Sequence, residues 1–190
     1  MKRMALGVAA LIVAGAASAQ TNFFWTNSLG GAWSGASWTN AAVDPAAPAV
    51  GGDAGYMLNF DIADTYVADN DLAGGFVLNS LRFGAGAPSL TGNSLVFTNH
   101  GASAPAVTNL SGNVVTIAND LVLGADTTFR ADNSLRLTGA IGGPGGLIRA
   151  GTNTLTLTGN NTYEGLTVVA PANTSLTLSN TTGGVAIPGN

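Results

Sequence analysis

The chain of 190 residues contains no cysteine, so neither a disulfide framework nor a thiolate metal site is open to it. Lysine occurs once, at Lys2, and the other basic residues are Arg3, Arg82, Arg130, Arg136 and Arg149. Charged side chains make up only 8% of the chain, and His100 is its single histidine. After residue 20 no apolar run approaches the ~20 residues that a spanning helix needs. Apolar residues at helical spacing are missing there as well. Glycine is plentiful, at 27 residues, and Asn, Thr and Ser supply most of the polar surface.

The N-terminus carries its own signal. Lys2 and Arg3 precede an apolar run from Met4 to about Ala17, and Ala17-Ser18-Ala19 ends it with small residues. This is the order of a secretory signal peptide, 1–19, cleaved after Ala19. A membrane anchor is the competing reading, and the run is too short and too rich in Ala and Gly for it. Four arginines and ten acidic residues then remain, a net charge of −6. Such a chain does not attract phosphate backbones or anionic lipid, which argues against nucleic acid and membrane-surface partners. Without a later long apolar stretch, no membrane insertion by this chain is expected. The expectation is an exported protein, extracellular or at the cell surface.

Short alternating runs follow, bounded by Gly, Asn or Asp, and each would bury one face of a strand. The runs beginning at Ser94, Val114, Ser134 and Thr154 start twenty residues apart, and the next begins one residue late at Ser175. Asn93, Asn113, Asn133, Asn153 and Asn173 keep the twenty-residue period throughout. Phe129, Ile148 and Val168 fall near a second phase. A fixed period of this length is the mark of a β-solenoid, in which one coil holds about three short strands. Leu95, Val115, Leu135, Leu155 and Leu176 are expected to form one interior ladder, with Phe97, Ile117, Leu137, Leu157 and Leu178 beside it. The asparagines would stack at a corner and bond from coil to coil. The competing architecture is a β-sandwich or meander.

Gly145-Gly146-Leu147-Ile148-Arg149 leads through Asn153-Thr154-Leu155-Thr156-Leu157-Thr158-Gly159 to Asn161-Thr162-Tyr163-Glu164-Gly165. This stretch resembles the autotransporter-associated β-strand repeat, also called the passenger-associated transport repeat. The residues carrying the resemblance are Gly146, Leu147, Leu155, Leu157, Gly159, Asn161, Thr162, Tyr163 and Gly165. Arg149 stands where the repeat usually has lysine, Asn153 where it has glycine, and Leu166 where it has a small or polar residue. The resemblance implies a right-handed parallel β-helix displayed or released outside a bacterium, associated with passenger transport or folding and with no chemistry of its own. Members of the family tend to be long and often end in a membrane barrel. This chain stops in mid-coil at Ile187-Pro188-Gly189-Asn190, which reads as a fragment, a truncated product or a small relative.

Residues 20–72 differ from the repeats of 73–190 and are expected to form an irregular N-terminal cap. Trp25, Trp33 and Trp38 lie within fourteen positions of one another. They cap the first coil or, in the sharper reading, offer indole faces for carbohydrate contact. Asp61, Asp64, Asp69 and Asp71 follow, and Asp69-Asn70-Asp71 faintly resembles a calcium loop but lacks its glycine and distal glutamate. Asp120, Asp126, Asp132 and Glu164 fall at four different phases of the period, and Arg130 and Arg149 come close in phase without a carboxylate in register. No nucleophile motif, phosphate loop or metal cluster is present. The expectation is therefore no catalytic residue, no cofactor and no metal. It is a structural or adhesive monomer whose partners are cell-surface polysaccharide or other surface proteins. A carbohydrate-binding module or a polysaccharide-active β-helix enzyme is the alternative.

Overall fold

Polar–apolar alternation over runs of three to five residues leaves each strand one face to bury, and stacking coils is the way to bury it without helices. A computed structural model of the chain describes residues 19–40, 45–72, 74–170, 175–179 and 187–188. The expected signal peptide, except Ala19, and Asn173 lie outside the described residues. The chain is all β and folds as a parallel β-helix. Among the described residues it visits three sheets in rotation, of eight, seven and four strands.

The first sheet runs from Thr167–Val169 through Leu147–Ala150, Thr127–Ala131, Ala106–Asn109, Ser80–Phe83 and Tyr56–Phe60 to Thr21–Trp25, with Trp38–Asn40 at its edge. The second begins at Ser175–Leu178 and passes Thr154–Leu157, Leu135–Leu137 and Val115–Ile117 on its way to Gly31–Ala32. The third holds Ile141–Gly142, Leu121–Leu123, Leu95–Phe97 and Phe76–Leu78. Neighbours pair in parallel, except that Trp38–Asn40 runs antiparallel along the edge of Thr21–Trp25.

The twenty-residue period holds where Val115 pairs with Leu135 and Leu135 with Leu155, and Leu176 follows Leu155 in the same register. It fails one coil earlier. Ile117 pairs with Leu90, a step of 27 residues, and Leu95 and Phe97 pair with Leu121 and Leu123 in the third sheet. The expected ladders are therefore corrected at their N-terminal ends: Leu95 and Phe97 do not stand on Val115 and Ile117. The cause is a corner loop in which the backbones of His100 and Ser103 exchange hydrogen bonds. The buried Asn79 amide holds the loop by donating to Thr98 O at 2.8 Å and Ser103 O at 3.0 Å. Those extra residues shift the phase.

The second phase needs a correction too. Phe129 pairs with Arg149, while Ile148 pairs with Thr128 and Val168. Since adjacent residues face opposite ways, Phe129 and Arg149 point inward and Ile148 points outward. Arg130 and Arg149 accordingly lie on opposite faces of the first sheet.

The interior is one continuous core from Phe23 to Tyr163. Each fully buried Leu, Ile or Phe contributes roughly 1.5–3 kcal/mol. The expected boundary at residue 73 is no break in the sheets, because Tyr56–Phe60 pairs with both Thr21–Trp25 and Ser80–Phe83. The N-terminal end is an aromatic cluster. Trp25 and Trp33 meet Trp38 edge-on at 5.0 and 5.5 Å, and Phe60 stacks on Phe83 at 5.4 Å. Trp38–Asn40 covers the outermost strand, and Thr39 is bridged in turn by Pro45, a residue with no backbone donor, which blunts that edge of the first sheet.

Candidate functional site

The tryptophans belong to the core. Trp25, Trp33 and Trp38 are 2%, 0% and 1% exposed. The indole N–H of Trp25 donates to Asn27 O at 2.7 Å, and that of Trp38 to Trp33 O at 3.1 Å. No indole face is open to a sugar ring, so the stacking expectation is corrected. Large apolar rings at an otherwise open first coil go inside because burying each removes a large area from water.

Three of the four aspartates engage separate partners. Asp61 pairs with Arg82 at 2.6 Å, Asp69 accepts from the Thr91 hydroxyl at 2.7 Å, and Asp71 accepts from the Ser34 amide at 2.9 Å and its hydroxyl at 2.5 Å. The Ser34 hydroxyl, followed by the Ser34 amide, holds the Asp71 carboxyl below its ordinary pKa. Asp61 and Asp64 share an effect on the buried Tyr66, whose phenol is pushed well above its usual value chiefly by burial and then by their negative charges. Among the described residues no three acidic or histidine side chains gather as a metal site.

Asn113, Asn133 and Asn153 each precede by two residues the paired Val115, Leu135 and Leu155, and so share one corner. Asn113 bonds within its own turn, whereas Asn153 also reaches the preceding coil. Asn113 donates to Ser111 O at 3.3 Å, and the Asn153 side-chain oxygen accepts from the Thr154 amide and the Ser134 hydroxyl at 2.8 and 2.9 Å. Asn93 is at another corner, donating to Leu72 O at 2.6 Å. Two buried asparagines tie coils together as well. Asn109 donates to Asn113 O and Ser134 O, and Asn119 to Thr91 O and Asn93 O. Their signal was present in the sequence as polar residues at inward phase beside turns. An unpaired buried amide is costly, so such residues must answer corner carbonyls.

The repeat-like stretch forms one coil. Leu147, Leu155, Leu157 and Tyr163 are buried, and the Tyr163 hydroxyl lies 2.5 Å from that of Thr167. The Asn161 side-chain oxygen accepts from the Ile141 amide at 3.0 Å, and the Thr162 amide donates to Ile141 O at 2.7 Å. A Cβ at Gly159 would collide with Gly139 O, and one at Gly146 with Leu166 O. A Cβ at Gly165 would meet the backbone of Gly145 and Gly146. The motif glycines therefore mark the closest approach of successive coils.

Arg149 stands in the sequence as a replacement for lysine and as a near neighbour in phase of Arg130, with no sign of an interior place. It is fully buried, with Nε donating to Ser175 O at 3.2 Å and Nη1 to the carbonyls of Ala150 and Gly151. Nη2 finds no protein acceptor. Burial pushes the guanidinium pKa below its ordinary value, and the negative charge of Asp132 acts in the opposite direction.

Above this buried cation is a surface groove of about 290 Å³, lined by Arg130, Asp132, Ala150, Gly151 and Thr152. It lies at the corner between the first and second sheets. Arg130 Nε bonds Asp132 Oδ2 at 2.6 Å, while Asp132 Oδ1 is buried with no hydrogen-bond partner. Other carboxylates near this end are structural acceptors: Asp120 takes the Ala140 amide at 2.8 Å and Asp126 the Gly146 amide at 2.7 Å, each binding the next coil. No protein-family model matches the chain, and no curated protein or solved structure matches it either.

Proposed function

We infer that the chain is an exported, non-catalytic β-helical protein of the bacterial surface or medium, with a structural and adhesive role. Its repeat is of the autotransporter-associated, passenger-transport type. The observation that carries this reading is the coil from Gly146 to Gly165. Its motif glycines sit where a side chain would break inter-coil contact, and its motif leucines and Tyr163 are interior. A sequence that spends its distinctive residues on stacking is built to extend a rigid surface. Asp120 and Asp126, on the preceding coil, serve backbone amides, which favours presentation over acid–base chemistry.

Expression of the full chain in a Gram-negative host tests the proposal. The expected result is cleavage after Ala19, read by mass spectrometry, with the product at the surface or in the medium. An uncleaved cytoplasmic product would overturn it.

A further inference from the structure

We propose that the C-terminal end of the β-helix is an interface for a second copy of this chain, the two joined end to end about a two-fold axis through the Ser175–Leu178 strand. This departs from the monomer expected of the sequence, and it needs only the fold, not the adhesive reading. The two ends of the helix are built differently. At the N-terminal end, Trp38–Asn40 and Pro45 cover the edge of the first sheet, and Gly52 bridges Val77 on the edge of the third. There the Val77 amide donates to Gly51 O at 3.0 Å, and Val77 O accepts from the Asp53 amide at 2.9 Å. At the C-terminal end, Thr167–Val169 and Ser175–Leu178 are the last strands of their sheets among the described residues. A bare strand edge is a template for another chain, and proteins commonly guard it with charge or Pro. Neither strand carries either, and no charged residue follows Glu164 in the sequence.

The side chains at this end belong to an interior. Leu178 continues the ladder of Leu137 and Leu157, and Val169 follows the buried Arg149 in register, yet the two are 44% and 49% exposed. With Leu166 and Val168 they make four of the nine large apolar side chains exposed among the described residues. An apolar cluster of this kind marks a contact surface. Two acidic copies repel each other over most of their surface, but not through an end without charge. Head-to-tail stacking needs an open N-terminal edge, and two of the three sheets are covered there. The complement left is the same end of another copy, which gives a closed two-fold dimer.

Symmetry then sets the register. For the two cores to join, inward residues must oppose inward residues, since a shift by one reverses every face. An antiparallel pair centred on Thr177 meets this condition. Leu176 then lies opposite the partner's Leu178, both inward, while Thr177 lies opposite the partner's Thr177 on the outer face. The dimer is a rod of doubled length, with its core continuous through the junction and an aromatic cluster at each tip.

Sedimentation velocity of the purified chain tests the contact. At roughly 100 µM, a hundredfold above a micromolar Kd, the chain should run as a dimer that dissociates on dilution. Leu178→Lys and Val169→Lys set like charges against each other at the junction, and each should raise the dimer Kd tenfold or more. Leu29→Lys, on the first coil at a position 93% exposed, should leave it unchanged. Thr177→Cys tests the register and spares the apolar contact, so it decides the matter if the lysine variants fold poorly. The chain has no other cysteine, and opposed residues of an antiparallel pair hold their Cα atoms about 4.5–5.5 Å apart, within disulfide reach. Mild oxidation should link Thr177→Cys chains in pairs on a non-reducing gel and leave Thr116→Cys, three coils inward, unlinked. A monomer at every concentration, a dimer indifferent to both lysine variants, open-ended polymers, or equal cross-linking at the two cysteines would overturn the proposal. A monomer whose Val169 and Leu178 amides resist deuterium exchange would also overturn it, and would assign the covering role to residues 180–190 of the same chain.

Discussion

Arg149 pairs in register with Phe129 on the preceding coil, and both side chains are fully buried in the interior of the helix. A cation in line with a phenyl ring is an unusual core choice, since an unpaired buried charge is expensive. Three carbonyls compensate in part, those of Ala150, Gly151 and Ser175. The last belongs to the following coil, so the guanidinium fastens the Ser175–Leu178 strand to its neighbour. Arg149→Ala should cost about 3 kcal/mol, from lost stem packing together with orphaned carbonyls. Arg149→Met keeps most of the packing, so chemical denaturation should show a smaller loss. Equal losses would place the whole effect in the hydrogen bonds.

The ladder of Leu155 and its neighbours predicts a gradient along the axis. Leu155 is 0% exposed between Leu135 and Leu176, whereas Leu178 on the last strand is 44% exposed. Leu155→Ala should therefore cost 2–5 kcal/mol, as core truncations do, and Leu178→Ala less than about 1.5 kcal/mol in the same urea titration. Leu135→Asp, which puts a carboxylate into the core, should prevent cooperative folding.

How much of this was readable beforehand depended on coil length. From Val115 to Leu157 every coil is twenty residues, and a period found by inspection gives the correct pairing. Between Leu90 and Ile117 the loop around His100 adds residues without breaking the asparagine spacing, so Asn93 kept the expected phase but not the expected place. Corner insertions leave strand patterns intact, and nothing in a strand reports how long the preceding corner is. Arg149 escaped for a different reason. Its inward orientation follows from one residue of register against Ile148, and register reverses the face of every side chain. The corner groove needed both facts, since it joins Arg130 of one coil to Gly151 of the next.

Gly159 gives the sharpest steric test. A Cβ there would overlap Gly139 O, a backbone atom of the adjacent coil, whereas a Cβ at Gly51 would meet nothing. Gly159→Ala should lower stability by roughly 2–4 kcal/mol, in the range of other core overpacking and strain effects. Gly51→Ala should stay within about 0.5 kcal/mol of the parent. Thermal unfolding of the two variants separates a stacking constraint from a general preference for glycine.

Burial of all three indoles has a spectroscopic consequence. Trp25, Trp33 and Trp38 should emit at short wavelength and resist quenching by iodide, which does not enter a packed core. A quenchable, red-shifted emission would mean that the aromatic end is open in solution.

Tyr66 predicts the behaviour of the protein in alkali. Its hydroxyl is buried without a partner, and burial together with Asp61 and Asp64 raises its pKa above the usual ~10 of a tyrosine. Tyr163 is raised as well, by burial, although its bond to Thr167 works against the shift. A folded-state pKa above the unfolded one means that the native state holds its proton more tightly. The linked stability is fully present below about pH 10 and declines as pH rises from there toward the folded-state pKa values. Urea midpoints measured from about pH 8 to pH 12 should fall over the upper part of that range. Tyr66→Phe removes both the orphaned hydroxyl and its titration. It should raise neutral-pH stability by up to about 1 kcal/mol and flatten the alkaline decline, leaving the smaller share due to Tyr163. A variant less stable than the parent at pH 7 would mean that the hydroxyl has a partner after all.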